Sequence, residues 1–474
     1  MGKKTYITTT LPYVNADPHI GFALEIIQAD IYARFLRERG GEVFFNFGTD
    51  EHGQKIYEKA KENGEDTQAY VDRYAAKFDA LKKALNLTYN NFIRTTDPHH
   101  IMAAQEFWKR CNANGDIYKK NYKVKYCVGC ETEKTDSDLV NGCCPDHSNR
   151  QLEIREEENY FFRYSKYGQK LLDLYNNNPE FVVPSWRLNE VRKFVEGGLE
   201  DFSISRLRTK MPWGIDVPGD PDHVMYVWFD ALVNYVSAVG WPDRMEEFDS
   251  WWPVVQFAGK DNLRHQSATW QAMLMSAGIA PSKKIFIHGW VLGGGGQKMS
   301  KSLGNVINPF EVVEKYGGDA LRYFLSREMT PFEDGDFTEA RFKEAFNAGL
   351  ANGLGNTSSR VLKMAESYLP GPVTVGEAEI PALYSKYIEG LELNKAMDLI
   401  WSKLSEMDSI IQETQPFKLV KTDKDAAAKI VTDLVKRLFS ISKMLAPFMP
   451  ETSAKIEEAI KANNLAAPLF MRLE

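Results

Sequence analysis

The sequence lacks several features that mark common classes of protein. It has no uninterrupted run of about 18 apolar residues, so neither a transmembrane helix nor a membrane partner is predicted. No G-x-G-x-x-G fingerprint follows the first predicted strand, which argues against a dehydrogenase. Lys3 and Lys4 lead directly into that strand, so we expect no signal or transit peptide and a cytoplasmic location.

Cysteine is also scarce, and four of the five cysteines fall between positions 127 and 144. This clustering favours a metal site in a reducing compartment over a disulfide framework. Cys127-x2-Cys130 and Cys144-x2-His147 have zinc-knuckle spacing, and two such turns complete a tetrahedron. Because four protein ligands leave no open position, we predict one structural Zn2+ per chain. Cys143 is a rival third ligand, and unrelated buried cysteines are the alternative.

The composition is that of a globular enzyme. With 474 residues, of which 43% are hydrophobic and 26% charged, the chain has room for two to four domains. The net charge of −7 argues against broad attraction to nucleic acid, although it allows a local basic face.

The first informative stretch reads YITTTLPYVNADPHIGFALE, residues 6–25. Residues 6–10 predict a strand, and Asp17 and Pro18 predict the N-cap and first position of a helix. His19 and Gly21 then fall in its first turn, where backbone N–H groups favour phosphate. An ordinary strand–helix turn with a surface histidine is the alternative.

The second informative stretch lies far downstream. Residues 284–288 (KIFIH) predict a strand, and four glycines at 293–296 are too permissive for a regular element. Lys298 and Lys301 follow, as expected of a mobile loop that closes on a polyphosphate. The alternative is a solvated basic loop.

Between these stretches, strands and helices alternate as in a doubly wound sheet. Residues 42–47 predict a strand that ends near Asp50, residues 119–198 an insertion, and residues 202–218 a return to the sheet. After position 303, helical periodicity dominates, with long helices predicted at 351–366, 387–412 and 426–445.

The two stretches together resemble the signature sequences of class I aminoacyl-tRNA synthetases, and the whole chain resembles the methionyl-tRNA synthetases. The resemblance implies an α/β fold: a doubly wound Rossmann-type parallel sheet with a zinc-knuckle insertion, followed by an α-helical bundle. The implied domains are 1–118 and 199–302 for the two catalytic halves, 119–198 for the insertion, 303–345 for a stem-contact linker and 346–474 for the anticodon-binding bundle.

The resemblance also implies the chemistry and its residues. Methionine reacts with Mg2+-ATP to give methionyl-adenylate, and the methionyl group then passes to tRNA(Met). The implied catalytic residues are His19, Lys298 and Lys301, which bind ATP together with Gly21, Gly259, Lys260 and Asp261. The implied methionine-binding residues are Leu11, Tyr13, Asp50, Trp228, Ala231, Leu232, Tyr235, Ile287 and His288. The implied anticodon readers are Asn356, Arg360 and Phe417.

Two positions depart from the family pattern. Phe22 stands where members commonly have a second histidine, and losing one transition-state donor typically costs roughly 2–4 kcal/mol. We hypothesise that His265 or the loop lysines take over part of its role. Phe417 replaces a tryptophan that stacks on the anticodon, which predicts weaker discrimination.

Other functions compete with this interpretation. Synthetases for leucine, isoleucine or valine carry a larger insertion with an editing domain. A zinc-dependent nucleic-acid-binding module would leave both nucleotide motifs unexplained. A small-molecule nucleotidylyltransferase would not need the helical bundle. A nucleotide-binding paralogue with activity altered by Phe22 is the closest alternative. We expect no counterpart of the extra tRNA-binding or dimerising module found in some relatives, and therefore a monomer.

Overall fold

The computed structural model describes residues 3–130, 132–134, 138–299 and 304–474. Its contacts divide the chain into two compact units. The first unit comprises residues 1–18, 42–80 and 89–287, and the second comprises residues 19–41, 81–88 and 288–474. Within the described residues, no helix is long and apolar enough to cross a membrane.

The strands are, in chain order, β1 (Lys4–Thr9), β2 (Glu42–Thr49), β3 (Asn91–Arg94), β4 (Ile117–Cys127), β5 (Thr132–Lys134), β6 (Glu153–Phe162), β7 (Val182–Val183), β8 (Phe202–Ser203), β9 (Ser205–Leu207), β10 (Asp216–Val217), β11 (Asp220–Met225), β12 (Val254–Gly259), β13 (Lys284–His288), β14 (Val291–Gly293), β15 (Gln297–Lys298) and β16 (Gly335–Asp336).

The α-helices are, in chain order, α1 (Ile20–Glu38), α2 (Gln54–Glu62), α3 (Thr67–Asp79), α4 (Leu81–Ala84), α5 (Pro98–Ala113), α6 (Gly168–Asn177), α7 (Ser185–Glu196), α8 (Val227–Leu232), α9 (Asn234–Ser237), α10 (Met245–Trp251), α11 (Trp270–Ser276), α12 (Pro309–Tyr316), α13 (Gly318–Tyr323), α14 (Glu339–Ala345), α15 (Asn356–Tyr368), α16 (Ala382–Glu389), α17 (Leu393–Thr414), α18 (Pro416–Leu419), α19 (Lys424–Leu445) and α20 (Pro450–Ala462).

The first unit is built on a parallel six-stranded sheet with the order β3-β2-β1-β12-β13-β7. Parallel strands are covered on both faces, which explains why β1, β12 and β13 are buried along almost their whole length. Beside the sheet lies an aromatic core in which Phe107 stacks on Trp270 at 5.6 Å and contacts Trp241 edge-on at 5.8 Å. The predicted α/β class is therefore confirmed.

The insertion has its own sheet, in the order β5-β4-β6-β8, and β9 to β11 form a further three-stranded sheet. The expectation that residues 202–218 return to the catalytic sheet is therefore wrong. The segment pairs instead with β6 and β11, because its short strands alternate with turns and cannot extend across the parallel sheet.

The second unit is mainly helical, and its long helices α15, α17, α19 and α20 pack on one another. Two predicted helices differ in their bounds. The helix predicted at 387–412 is two helices, α16 and α17, because Leu391 adopts a positive φ of 57° between them. The helix predicted at 351–366 begins as a π-helix, Phe346–Gly355, before α15.

Candidate active site

The carboxyl edge of the parallel sheet gathers most of the predicted ligand-binding residues of the first unit. From β1 the strand order runs outward through β2 and β3, and from β12 it runs the other way through β13 and β7. The boundary between β1 and β12 is therefore a topological switch point, where ligands bind in such sheets. The loops after β1, β2 and β12, with the end of β13, carry Leu11, Tyr13, Asp50, Gly259, Lys260, Asp261 and Ile287.

The loop after β2 is held firmly on both sides of Asp50. The backbone of Asp50 bonds to Pro12 and Val14 at 3.0 and 3.1 Å, which joins this loop to the one after β1. The buried Glu51 carboxylate accepts two hydrogen bonds from Arg94, at 2.7 and 2.9 Å. Asp50 is therefore presented by a fixed backbone, as a ligand for an ammonium group requires.

An aromatic wall stands on the helical segment α8–α9. Trp228, Ala231, Leu232 and Tyr235 follow helical spacing and therefore share one face. The Trp228 ring stacks on His265, with centroids 4.2 Å apart and planes 8° apart. The Tyr235 hydroxyl accepts a 2.8 Å hydrogen bond from the Gln266 amide. Such a wall suits a polarizable thioether.

A cavity of about 170 Å³ opens beside this wall, lined by Phe202, Ser203, Arg206, Tyr226, Trp228, His265 and Thr269. Burial lowers the pKa of His265 to about 4, so its imidazole is neutral at pH 7. The guanidinium of Arg206 lies 4.6 Å from the Tyr226 ring centre and donates to Ser203 Oγ at 2.7 Å.

His19, in the second unit, caps the helix that follows it. Helix α1 begins at Ile20 with His19 as N-cap, so the predicted start at Asp17 and Pro18 is wrong. The physical reason is that His19 Nδ1 accepts the Gly21 N–H at 3.1 Å, which satisfies an orphan donor of the first turn. A neutral ring then carries its proton on Nε2, the nitrogen suited to a phosphate oxygen.

Gly21 is required by the same geometry. A Cβ at this position would lie 2.9 Å from the His19 ring, closer than side chains pack. The ring also lies against Phe22, with centroids 4.2 Å apart. Phe22 thus packs against the capping histidine.

The glycine run forms a tight turn. Gly293 ends β14, and Gly295 and Gly296 adopt positive φ angles of 76° and 74° in the hairpin to β15. The expectation that all four glycines lie outside regular structure is therefore wrong for Gly293. Lys298, in β15, holds its ammonium 4.3 Å from the Trp290 ring centre. Lys301 lies outside the described residues, so closure of the lysine loop stays a prediction.

His288 ends β13 and is buried in the second unit. Its Nδ1 lies 2.7 Å from the Gly289 carbonyl, which can only accept, so Nδ1 donates. Its Nε2 lies 2.8 Å from a Glu25 carboxyl oxygen, and this contact needs a second proton, on the imidazole or on the carboxyl.

The cysteine segment folds into one compact cluster. The ligand atoms of Cys127, Cys130, Cys144 and His147 all lie within 4.8 Å of one another. Cys130 Sγ is 3.4 Å from Cys144 Sγ and 3.2 Å from His147 Nδ1. Three thiols and one imidazole at these separations are a donor set that fits Zn2+. Cys143, the rival, is not part of the cluster.

The predicted anticodon readers lie in the helical unit. Asn356 and Phe417 are exposed, and 43% of Phe417 is accessible. Arg360, one turn after Asn356, is bound by Asp408 at 2.9 Å. An RNA base that pairs with this guanidinium would share it with that carboxylate.

Two protein-family models match the chain. The family model for class I tRNA synthetases of the methionine type matches residues 5–152 and 147–362, and the anticodon-binding domain of methionyl-tRNA ligase matches residues 377–471. The chain belongs to the methionine family of class I tRNA synthetases.

Individual members of the methionyl family match the chain over nearly its full length. The methionine–tRNA ligase of Thermotoga maritima is 41% identical over 96% of this chain and 74% of its own. That of Thermosynechococcus vestitus is 43% identical over 98% and 92%. A Mycobacterium tuberculosis methionyl-tRNA synthetase in complex with methionyl-adenylate has a TM-score of 0.90 at 37% identity, covering 99% of this chain and 100% of that one. These matches give no support to an altered paralogue.

Several buried charged or polar residues beside the predicted site residues were missed from the sequence. Glu25 and Asp230 are acids within apolar segments, and that anomaly was the available signal. Gln266 carries no such signal, because its partners Tyr235 and Gln256 are distant in sequence. Arg206 was missed although its partner Ser203 lies only three positions away.

Proposed function

We propose that the chain activates methionine with ATP and transfers the product to tRNA(Met). A methionine carboxylate oxygen attacks the α-phosphorus of ATP, and the bond to pyrophosphate breaks. The terminal ribose hydroxyl of tRNA then attacks the acyl carbon, and AMP leaves. The match to methionine–tRNA ligases over 96–98% of the chain, at 41–43% identity, is the observation that carries this proposal.

We assign ATP binding to two groups of residues, one for its phosphates and one for its ribose and base. None of them forms a covalent intermediate. In this proposal His19 Nε2 and the first N–H groups of α1 bind phosphate oxygens. Lys298 and Lys301 neutralise pyrophosphate as it departs, and Gly259, Lys260 and Asp261 face the ribose and base. Mg2+ accompanies ATP and screens its phosphate charge.

Methionine is assigned to the aromatic wall and the loop after β2. Asp50 pairs with the substrate ammonium, while Trp228 and Tyr235 enclose the thioether. The remaining proposed pocket residues are Leu11, Tyr13, Ala231, Leu232, Ile287 and His288. Positioning supplies much of the rate in such a reaction, so fixed side chains matter more than reactive ones.

The remaining assignments follow from the same family. Cys127, Cys130, Cys144 and His147 are the proposed ligands of one structural Zn2+, which would pin the insertion that contains them. Asn356, Arg360 and Phe417 are the proposed anticodon readers. We also propose the domain limits 1–118, 119–198, 199–302, 303–345 and 346–474, a monomer and a cytoplasmic location.

The deciding experiment is ATP–pyrophosphate exchange with each of the twenty amino acids. Exchange that depends on methionine, followed by charging of tRNA(Met), is the expected result. Exchange with leucine, isoleucine or valine at comparable kcat/KM would refute the proposal, as would exchange without any transfer to tRNA. Metal analysis tests the zinc site, for which less than about half an equivalent per chain contradicts the assignment.

A further inference from the structure

A buried cluster of one carboxylate and two imidazoles lies in the first unit, outside the roles assigned above. Asp230 is fully buried, His100 is fully buried and His52 is almost so. Asp230 Oδ2 lies 3.2 Å from His52 Nδ1, and Oδ1 lies 3.7 Å from His100 Nε2. Neither carboxylate oxygen has a well-aligned hydrogen bond within the described residues.

The cluster holds an ionised acid. Burial raises the pKa of Asp230, but His52 and His100 outweigh it, and the net result is a pKa below the ordinary value. An ionised carboxylate in a dry interior is costly unless neighbouring N–H groups compensate it. The two imidazoles, at 3.2 and 3.7 Å, are therefore the electrostatic partners of this charge, although neither makes a well-aligned hydrogen bond to it.

The three members of the cluster come from three segments of the first unit. His52 lies in the loop after β2, two residues beyond Asp50. Asp230 lies in α8, between Trp228 and Ala231. His100 lies in α5, and its Nδ1 contacts Ser237 Oγ of α9 at 3.0 Å. The cluster thus ties the loop that carries the proposed ammonium ligand to the helix that carries the proposed thioether pocket.

The neighbours of His52 in this loop are held by other elements. Glu51 is committed to Arg94, and the backbone of Asp50 is committed to the loop after β1. His52 contacts Asp230 of α8 through its side chain, and Trp213 supports its ring at 5.8 Å between centroids.

We propose that Asp230 is a positioning residue that sets the distance between Asp50 and the aromatic wall, and thereby the affinity for methionine. This inference rests on the proposed function. The substrate ammonium and thioether are joined by a short chain, so a displacement of either site by about 1 Å weakens binding. ATP contacts neither α8 nor His52 in this assignment, so its binding is spared.

The test measures KM for methionine, KM for ATP and kcat in the exchange reaction. Asp230→Asn and His52→Ala are expected to raise KM for methionine about tenfold or more while KM for ATP stays within about threefold. His52→Asn keeps an amide near the place of Nδ1, so it is expected to retain most of the affinity for methionine.

Asp116→Asn is the matched control. Asp116 is equally buried in the same unit, where it accepts hydrogen bonds from Ser276 at 2.8 Å and from Tyr167, and no proposed substrate contact depends on it. It is expected to lower the melting temperature without changing KM for methionine.

Two results would overturn the inference. One is a methionine KM within about twofold of wild type in both Asp230→Asn and His52→Ala. The other is an equal rise in KM for ATP, which would show a general structural role. If Asp230→Asn does not fold, the comparison of His52→Ala with His52→Asn decides. A wild-type chain without methionine-dependent exchange would instead refute the proposed function.

Discussion

Arg322 offers a measurable test of how the helical unit is held together. Its guanidinium is fully buried in α13, 2.8 Å from Asp30 Oδ2 of α1. It also donates to the carbonyls of Phe448 and Pro447, each at 2.7 Å, and of Leu85 at 3.1 Å. One side chain thus joins α1 to the α19–α20 turn and the segment after α4.

The expected cost of Arg322→Met follows from those contacts. Methionine fills similar volume but leaves three buried carbonyls without a donor and removes one of the cations that stabilise Asp30. Asp30 keeps Arg34 at 2.8 Å and the Thr88 backbone at 2.7 Å. Breaking a buried pair by removing one partner costs about 3–5 kcal/mol, so we expect unfolding free energy to fall by that amount.

Urea titration followed by circular dichroism measures this loss. Arg437→Met is the control, because Arg437 makes an exposed pair with Asp433 in α19 that is worth less than about 1 kcal/mol. The double variant Arg322→Met/Asp30→Asn should lose less than the sum of the single variants, since the two charges are coupled. A loss below about 1 kcal/mol for Arg322→Met, or strict additivity, would refute this account.

Three further outcomes are expected. Lowering the pH from 7 to 5 should destabilise the wild type by about 2 kcal/mol more than it destabilises His265→Asn. The folded chain keeps this imidazole neutral, whereas the unfolded chain protonates it near pH 6.5. Equal pH profiles of the two proteins in urea titrations would contradict this. Phe22→His should change pyrophosphate exchange only modestly, whereas a gain of about a hundredfold would show that the site is impaired. Phe417→Trp should increase the ratio of kcat/KM for the natural anticodon over an altered one, since a larger ring stacks better; an unchanged ratio would dismiss Phe417 as a reader.

Local patterns predicted the elements that depend on neighbours in sequence. The strand β1, the strand β13 and the Cys127–His147 cluster were predictable because period, spacing and turn chemistry are local properties. The start of α1 was misplaced because two residues, Asp17 and His19, could cap it, and the geometry of the His19 ring decided between them.

Long-range pairs were not predictable for a corresponding reason. Glu25 and His288 are 263 positions apart, and Asp230 and His52 lie on different elements. The sequence around one member of each pair therefore does not predict the other member. The break at Leu391 was missed although Gly390 precedes it, a residue typical of a helix end and here the C-cap of α16.

Helix α1 connects the proposed phosphate-binding histidine with the buried ion pair of the helical unit. His19 stands at its beginning, and Asp30, bound by the buried Arg322, stands in its second half. Arg322 also binds the carbonyls of Pro447 and Phe448, so we expect a change at these carbonyls to shift Asp30 and, through the rigid helix, the capping imidazole. Under the proposed role of His19, variants far along the chain in the bundle are expected to weaken nucleotide binding before the fold is lost.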